Sequence, residues 1–352
     1  MKKSHYMMIA VFIGLTLVLS ACMPGIRVVG TPGISLTEEM VFVSYGQHVY
    51  GLDVSNGSVI WHYPEEGDNN IAFYAKPLVT DEFVYVGDLA NNFHKLDKTT
   101  GIPQWTFTEA RSFYLGQAAE LDGVVFAPNN DGRLYAIDAN GGLLWSFETG
   151  HYIWNQPQIV NDIIYLGSMD KFVYAISTDG EEIWSAEMAG AITGKPVIDE
   201  DGTQVFVGSI GKDLVSLNTS DGSILWTFEA DESIWGDPIL FEEVLYFADS
   251  DGNLYALDAS NGNQNWRVTF TGGVVGGLVK IDDGFALATD NGVVRAFNLD
   301  GSPKWESTLA GEIYQAPVVN NDYLIAGTID GENLLYGFNL SGVQLWSTTP
   351  EN

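Results

Sequence analysis

The chain has 352 residues and carries 46 acidic against 15 basic side chains, a formal charge of −31. So acidic a surface repels nucleic acid and anionic lipid headgroups, which sets both aside as partners of the folded surface and leaves a solvated, soluble exterior. A single cysteine, Cys22, leaves no internal disulfide framework, while 39 glycines and 12% aromatic residues suit many short strands joined by tight turns.

At the start of the chain, Lys2 and Lys3 precede an uncharged apolar run, Tyr6–Leu19, and then Leu19-Ser20-Ala21-Cys22. This order of charge, apolar run and small residues resembles a bacterial lipoprotein signal peptide with its lipobox. The resemblance implies cleavage before Cys22, acylation of Cys22 (palmitate among the chains) and attachment to a membrane of the cell envelope, the outer one where the host has two. Residues 1–21 are then the signal peptide and 22–25 a short tether; residues 26–352 form the folded domain, with a mature charge of −33. Strand-like residues begin at Ile26–Val29, and a four-residue tether reaches only about 14 Å, so the domain is expected close to its membrane.

From there one unit recurs. LYALDASNGNQNW, Leu254–Trp266, joins a short apolar run to a polar turn and closes on a tryptophan. Equivalent segments end at Trp61, Trp105, Trp145, Trp184, Trp226, Trp266, Trp305 and Trp346, with gaps of 44, 40, 39, 42, 40, 39 and 41 residues. A period near forty with strand-type patterning predicts radial repetition. Each unit reads as four short strands; in the fourth they are Gln158–Val160, Ile163–Gly167, Phe172–Ile176 and Glu182–Ala186. Asn-Gly and Asp-Gly turns after the third strand predict two-residue hairpins with positive φ. The fold class is therefore all-β: an eight-bladed β-propeller of four-stranded antiparallel blades. No apolar run of the mature chain is long enough to span a bilayer as a helix. Each tryptophan is expected to end its outermost strand and to lay its indole on the next blade, near the small residue two before the recurring acid (Ala136, Ala175, Ala256, Ala296). Such a contact covers about 150–250 Å², worth at most about 4–6 kcal/mol.

The segments AIDANGGLLW (136–145) and ALDASNGNQNW (256–266) resemble the tryptophan-docking, PQQ-like repeat of the quinoprotein propellers, and the likeness covers roughly residues 26–348. Enzymes of that family carry a vicinal cysteine pair, a calcium site and insertions between blades. This sequence has no cysteine pair, and its blade lengths leave no room for such insertions, so neither cofactor nor metal is expected. The non-enzyme branch, which includes a lipid-anchored eight-bladed subunit of outer-membrane β-barrel assembly, shares the lipobox, repeat number and length. The resemblance thus implies a non-catalytic scaffold or binding module whose partners are envelope proteins, β-barrel assembly components among them. Two other readings stay open: a quinone-dependent oxidoreductase, and a surface module binding glycan or matrix.

Candidate binding residues come from aligning the innermost strands on Pro77, Pro157, Pro196, Pro238 and Pro317, with Pro32 as first member. Three residues earlier stand Tyr74, Trp154, Trp235 and Tyr314; one residue earlier stand Lys76, Gln117, Gln156, Lys195 and Asp237. Period-two alternation would put both sets on one face, as an aromatic and a polar ring around a channel mouth. They are a binding site or a solvated lining, and the sequence leaves both open. Asp249-Ser250-Asp251-Gly252-Asn253 looks like the start of a calcium loop, but its twelfth residue is Ser260 and its context is strand, so it reads as a hairpin turn. His48, His62, His94 and His151 read as scattered over different repeats, without ligand spacing.

Overall fold

The computed structural model describes residues 30–350. Cys22 and the strand expected at Ile26–Val29 lie outside the described residues. The described chain is all-β: eight separate four-stranded antiparallel sheets, each built from four strands consecutive in sequence. Their spans are 33–63, 78–107, 119–148, 158–187, 197–229, 239–269, 278–308 and 318–348, numbered here as blades 1 to 8. In blade 4 the strands are Gln158–Val160, Ile163–Gly167, Phe172–Ser177 and Glu182–Glu187, within one residue of the spans predicted from sequence. Among the described residues no helix is long and apolar enough to cross a membrane.

Burial explains the patterning. The second and third strands of a blade are sandwiched between neighbouring blades, so Val205–Gly208 and Leu214–Leu217 are buried along their whole length. The fourth strand faces solvent on one side, and Ile224–Glu229 accordingly alternates. Eight apolar clusters fill the eight seams between adjacent blades. Tyr165, Val173, Ala175 and Trp184 of blade 4, for example, pack on Val205, Val207, Val215 and Leu217 of blade 5.

Two local expectations are corrected. The turn after the third strand has four or five residues rather than two. In blade 3, Gly141 N–H donates to Asp138 O (3.0 Å), while Asp138 Oδ1 accepts from Asn140 N–H and Gly142 N–H, both 2.8 Å. The carboxylate imitates a backbone carbonyl and only the glycine needs positive φ, 87° at Gly141. The two-residue turns with both φ positive instead join the first and second strands, at Asp122–Gly123 and Asn161–Asp162.

The tryptophans do not end their strands either. Trp145 is the third residue of Leu143–Glu148, and a register shift, repeated in all eight blades, falls immediately before the tryptophan. The bulge re-aims the indole out of the pleat. The small residue two before the turn acid is a cross-strand partner within the same blade, as in Ala136↔Trp145 and Ala256↔Trp266, and not the neighbour's docking surface. That surface is the next blade's turn. Trp61, Trp105, Trp145, Trp184, Trp226, Trp305 and Trp346 donate Nε1–H to the carbonyls of Lys98, Ala139, Thr178, Thr219, Ala259, Leu340 and Val54, at 2.8–3.0 Å. Trp266 lies against Gly301 in the same way. The turn glycine is needed twice over: it takes the left-handed conformation, and a β-carbon there would meet the preceding indole at 3.0 Å or closer.

Among the described residues closure of the ring uses no exchanged strand: blades 1 and 8 are each four consecutive strands. Their seam is held by packing of Ile34, Val41, Val43 and Leu52 on Val318, Ile325, Leu335 and Trp346. Three hydrogen bonds support it: Trp346 Nε1–H to Val54 O (2.8 Å), Asn320 Nδ2–H to Thr37 O (2.8 Å) and Asn321 Nδ2–H to Glu38 Oε1 (3.0 Å).

Candidate functional site: the channel mouth and the rim

Each prolines-aligned segment enters the middle of the wheel just before a short inner strand. Pro77 precedes Leu78–Val79, Pro157 precedes Gln158–Val160 and Pro317 precedes Val318–Val319. Residues 74–77 therefore lie in an irregular connection rather than a strand, and period-two alternation does not govern them. The structure brings Lys76, Gln117, Gln156, Lys195 and Asp237 together around one cavity of about 730 Å³. Beyond this polar ring its walls are mixed, with apolar stretches from Leu78, Val197, Ile239 and Val318.

Hydrogen bonds fix several ring members to the adjacent blade. Gln117 Nε2–H donates to Pro77 O (2.9 Å), Gln156 Nε2–H to Ala118 O (3.2 Å) and the Lys195 backbone N–H to Asp237 Oδ1 (2.6 Å). Asp237 also bridges the backbone of blade 7 at Gly277. Burial in the channel lowers the Lys76 ammonium below the ordinary lysine range; Asp237 opposes that shift and Lys195 adds to it.

The four aromatic candidates are not among the residues lining this cavity. Tyr74 is buried, edge-on to Tyr45 at 6.2 Å. Trp154 stacks beside Tyr152, its ring N–H buried without an acceptor, and Trp235 offers its backbone carbonyl to the Thr193 hydroxyl at 2.6 Å. The Tyr314 hydroxyl donates to Glu312 Oε2 (2.7 Å); burial first, and that carboxylate second, hold its pKa well above the usual tyrosine value. Ser35, Gln158, Glu200 and Lys280 also line the cavity, and Lys280 stands over the Phe241 ring at 5.0 Å. Alignment on the residues before each proline passes over them because Ser35, Gln158 and Lys280 sit on the inner strands themselves and Glu200 in the turn after one.

The calcium-like stretch has a different role. The Asp249 carboxylate is fully buried and takes five donors from the protein: Asp251 N–H and Asn253 N–H at Oδ1, and Glu232 N–H, Asn253 Nδ2–H and Tyr255 O–H at Oδ2. Asp131, Asp170, Asp213 and Asp290 each accept an N–H from the segment entering their blade in the same way as Asp249 does from Glu232. These carboxylates clamp the connections between blades. Among the described residues no group of three or more His, Cys, Asp or Glu is placed to hold a metal.

The histidines are less scattered than the sequence suggests. His48 and His62 belong to one blade, on paired strands, and their rings meet edge to face with centroids 5.2 Å apart. His48 is buried with Nε2 unpartnered, and burial, then His62, lower its pKa from 6.5. The fold thus favours neutral His48. As pH falls below 6.5 the unfolded chain takes up a proton that the folded one resists, so stability drops. The chain is expected to have a lower urea midpoint at pH 5.5 than at pH 7.5, and His48→Asn to flatten that dependence. An unchanged slope in the variant would show that other groups set it.

One more surface escapes sequence patterning. Large aliphatic side chains are exposed on or beside the outermost strands: Ile60 of blade 1, Ile102 of blade 2, Leu144 of blade 3, Ile183 of blade 4, Leu225 of blade 5 and Leu345 of blade 8. The corresponding strands of blades 6 and 7 carry Gln264-Asn265 and Pro303-Lys304 before their tryptophans. The rim therefore has an apolar arc over six successive blades and a polar remainder.

Known proteins share this architecture. A family model described as outer membrane protein assembly factor BamB matches residues 24–152, 94–189, 169–278 and 266–352. BamB of Nitrosomonas eutropha is 32% identical over 111 residues, 31% of this chain and 27% of that protein. BamB of Burkholderia pseudomallei is 29% identical over 110 residues, 31% of this chain and 29% of that protein. Tetrathionate hydrolase of Acidithiobacillus ferrooxidans is 27% identical over 182 residues, 50% of this chain and 33% of that protein. The chain thus spans only 27% to 33% of the length of these curated relatives. The crystal structure of BamB from Moraxella catarrhalis superposes with a TM-score of 0.74 at 19% identity, covering 87% of this chain and 93% of that one. At that identity the likeness shows the fold.

Proposed function

The chain belongs to the family of outer membrane protein assembly factor BamB, and on that premise we propose that it is a non-catalytic, lipid-anchored scaffold of the cell envelope that holds β-barrel assembly components. The observation that carries this reading is the family match, which runs from residue 24 to residue 352 and so takes in the whole wheel. The leader sequence supports the anchor: Cys22, preceded by Leu19-Ser20-Ala21, is the acylated residue. The first described strand starts at Gly33, so at most about 40 Å of extended chain separates Cys22 from the wheel.

The apolar arc of the rim supplies the docking surface. Exposed aliphatic side chains recur, one or two per blade, over six blades, and they fall on or beside edge strands whose free backbone groups can pair with another strand. Cross-linking in the native cell is expected to recover envelope assembly proteins. A Leu144→Glu/Leu225→Glu double variant, which changes exposed side chains only, should lose that recovery while keeping its thermal midpoint, and Cys22→Ser should release the protein from the membrane fraction. Recovery of no envelope protein, or equal recovery by the double variant, would remove the scaffold reading or its docking surface respectively.

A further inference from the structure

In a chain with 46 acidic and 15 basic residues, lysines without a counter-ion are informative. Lys212 is paired with Glu232 and Lys304 with Asp283. Lys76, Lys195 and Lys280 differ in lining one cavity, where none of them forms an ion pair. Lys76 enters blade 2 and Lys195 enters blade 5, three blades apart around the wheel, and their ammoniums are near enough to repel each other. Neither ammonium meets a carboxylate or carbonyl among the described residues, although acids outnumber bases three to one. Asp237 and Glu200 line the same cavity; Asp237 attracts the Lys76 ammonium without pairing with it, its Oδ1 accepting the Lys195 backbone N–H. Three ammoniums, of Lys76, Lys195 and Lys280, thus meet two carboxylates around one cavity in a molecule that is acidic overall.

We infer that the channel mouth binds a small organic anion, its carboxylate seated between Lys76 and Lys195 and its apolar body on the walls formed by Leu78, Val197, Ile239 and Val318. Electrostatics selects the head: with Lys76, Lys195 and Lys280 against Asp237 and Glu200 the lining is cationic on balance, so a carboxylate is attracted more than a cation. Glutamines 117 and 156 each give one amide N–H to a backbone carbonyl, which fixes the amide in place beside the charged groups. The walls select the body, because an anion without apolar surface gains nothing from them. A cavity of about 730 Å³ is in the range that encloses small molecules. The lowered pKa of Lys76 fits a cation that water does not fully solvate and that an incoming anion restores. This holds whether or not the rim is a docking surface.

Isothermal titration calorimetry with sodium hexanoate, on the wild-type protein lacking its leader, tests the site. One saturable site is expected, with hexylammonium giving no heat of binding and inorganic phosphate binding at least tenfold more weakly than hexanoate. Lys76→Gln and Lys195→Gln should each weaken hexanoate at least tenfold, Lys76→Arg should retain it, and Lys212→Gln on the outer surface should leave it unchanged. No binding of hexanoate, equal binding of hexylammonium, or undiminished binding by both glutamine variants would overturn the inference. Should the glutamine variants fail to fold, the three wild-type titrations decide it by themselves.

Discussion

Trp346→Ala is expected to lower the free energy of unfolding by about 3–5 kcal/mol, the usual cost of truncating a buried aromatic residue, read as a shift of the urea midpoint. Three contributions coincide at this side chain. It is buried in the cluster that joins blade 8 to blade 1, its N–H donates to Val54 O at 2.8 Å, and its ring lies on Gly57, across the seam. At the seven other seams the chain itself continues from blade to blade, so a weakened contact leaves the neighbours tethered. Here residues 292 apart in sequence are held by packing and a few hydrogen bonds alone. Trp226→Ala, which deletes the same kind of contact between blades 5 and 6, should cost less and leave the ring closed. Amide hydrogen exchange separates the two cases: the Trp346 variant should lose protection in blades 1 and 8 first. Equal loss of stability with no localised exchange would mean that the closing seam is no weaker than the rest.

Asp249→Ala should be nearly as damaging, at about 3–5 kcal/mol. Removing the carboxylate leaves five donors unsatisfied, several in a fully buried setting, and an orphaned buried donor costs about 1–3 kcal/mol. The sum is bounded because the turn can relax and admit water. Asp249→Asn keeps the shape but replaces one acceptor with a donor pointed at donors, so it should recover little. Tyr255→Phe, which removes one donor to the carboxylate and the acceptor of the Asp231 N–H, should cost about 1–2 kcal/mol. Asp258→Ala is the external control. That acid caps an exposed turn through Ser260 and should cost about 1 kcal/mol or less. A loss for Asp249→Ala no larger than for Asp258→Ala in thermal unfolding would show that the clamp contributes nothing beyond an ordinary turn.

The fold was legible because its strongest signals are local and repeated. Tryptophans at intervals near forty residues and four apolar runs per interval are enough to place blade 4 to within a residue. What escaped was set by geometry at a distance. The β-bulge before each tryptophan cannot be read from composition, and it decides that the indole meets the next blade's glycine turn rather than an alanine. Asp138 and its equivalents were legible as turn residues, but the length of the turn depends on the side chain acting as a carbonyl.

The channel mouth was half legible. Aligning on proline found Lys76, Gln117, Gln156, Lys195 and Asp237, which the structure gathers around one cavity. The same alignment grouped Tyr74, Trp154, Trp235 and Tyr314 with them, on an alternation that the bent connections before the inner strands do not keep. His48 and His62 escaped because the outer hairpin of blade 1, not their spacing, brings the rings together.

The self-contained blades have a consequence for how such a molecule can change over generations. Because among the described residues no sheet borrows a strand from the far end of the chain, each blade is one unbroken cassette of sequence. A duplication, loss or rotation in whole cassettes leaves every hairpin wired as before, and only the size of the circle, or the place where it is nicked, is altered.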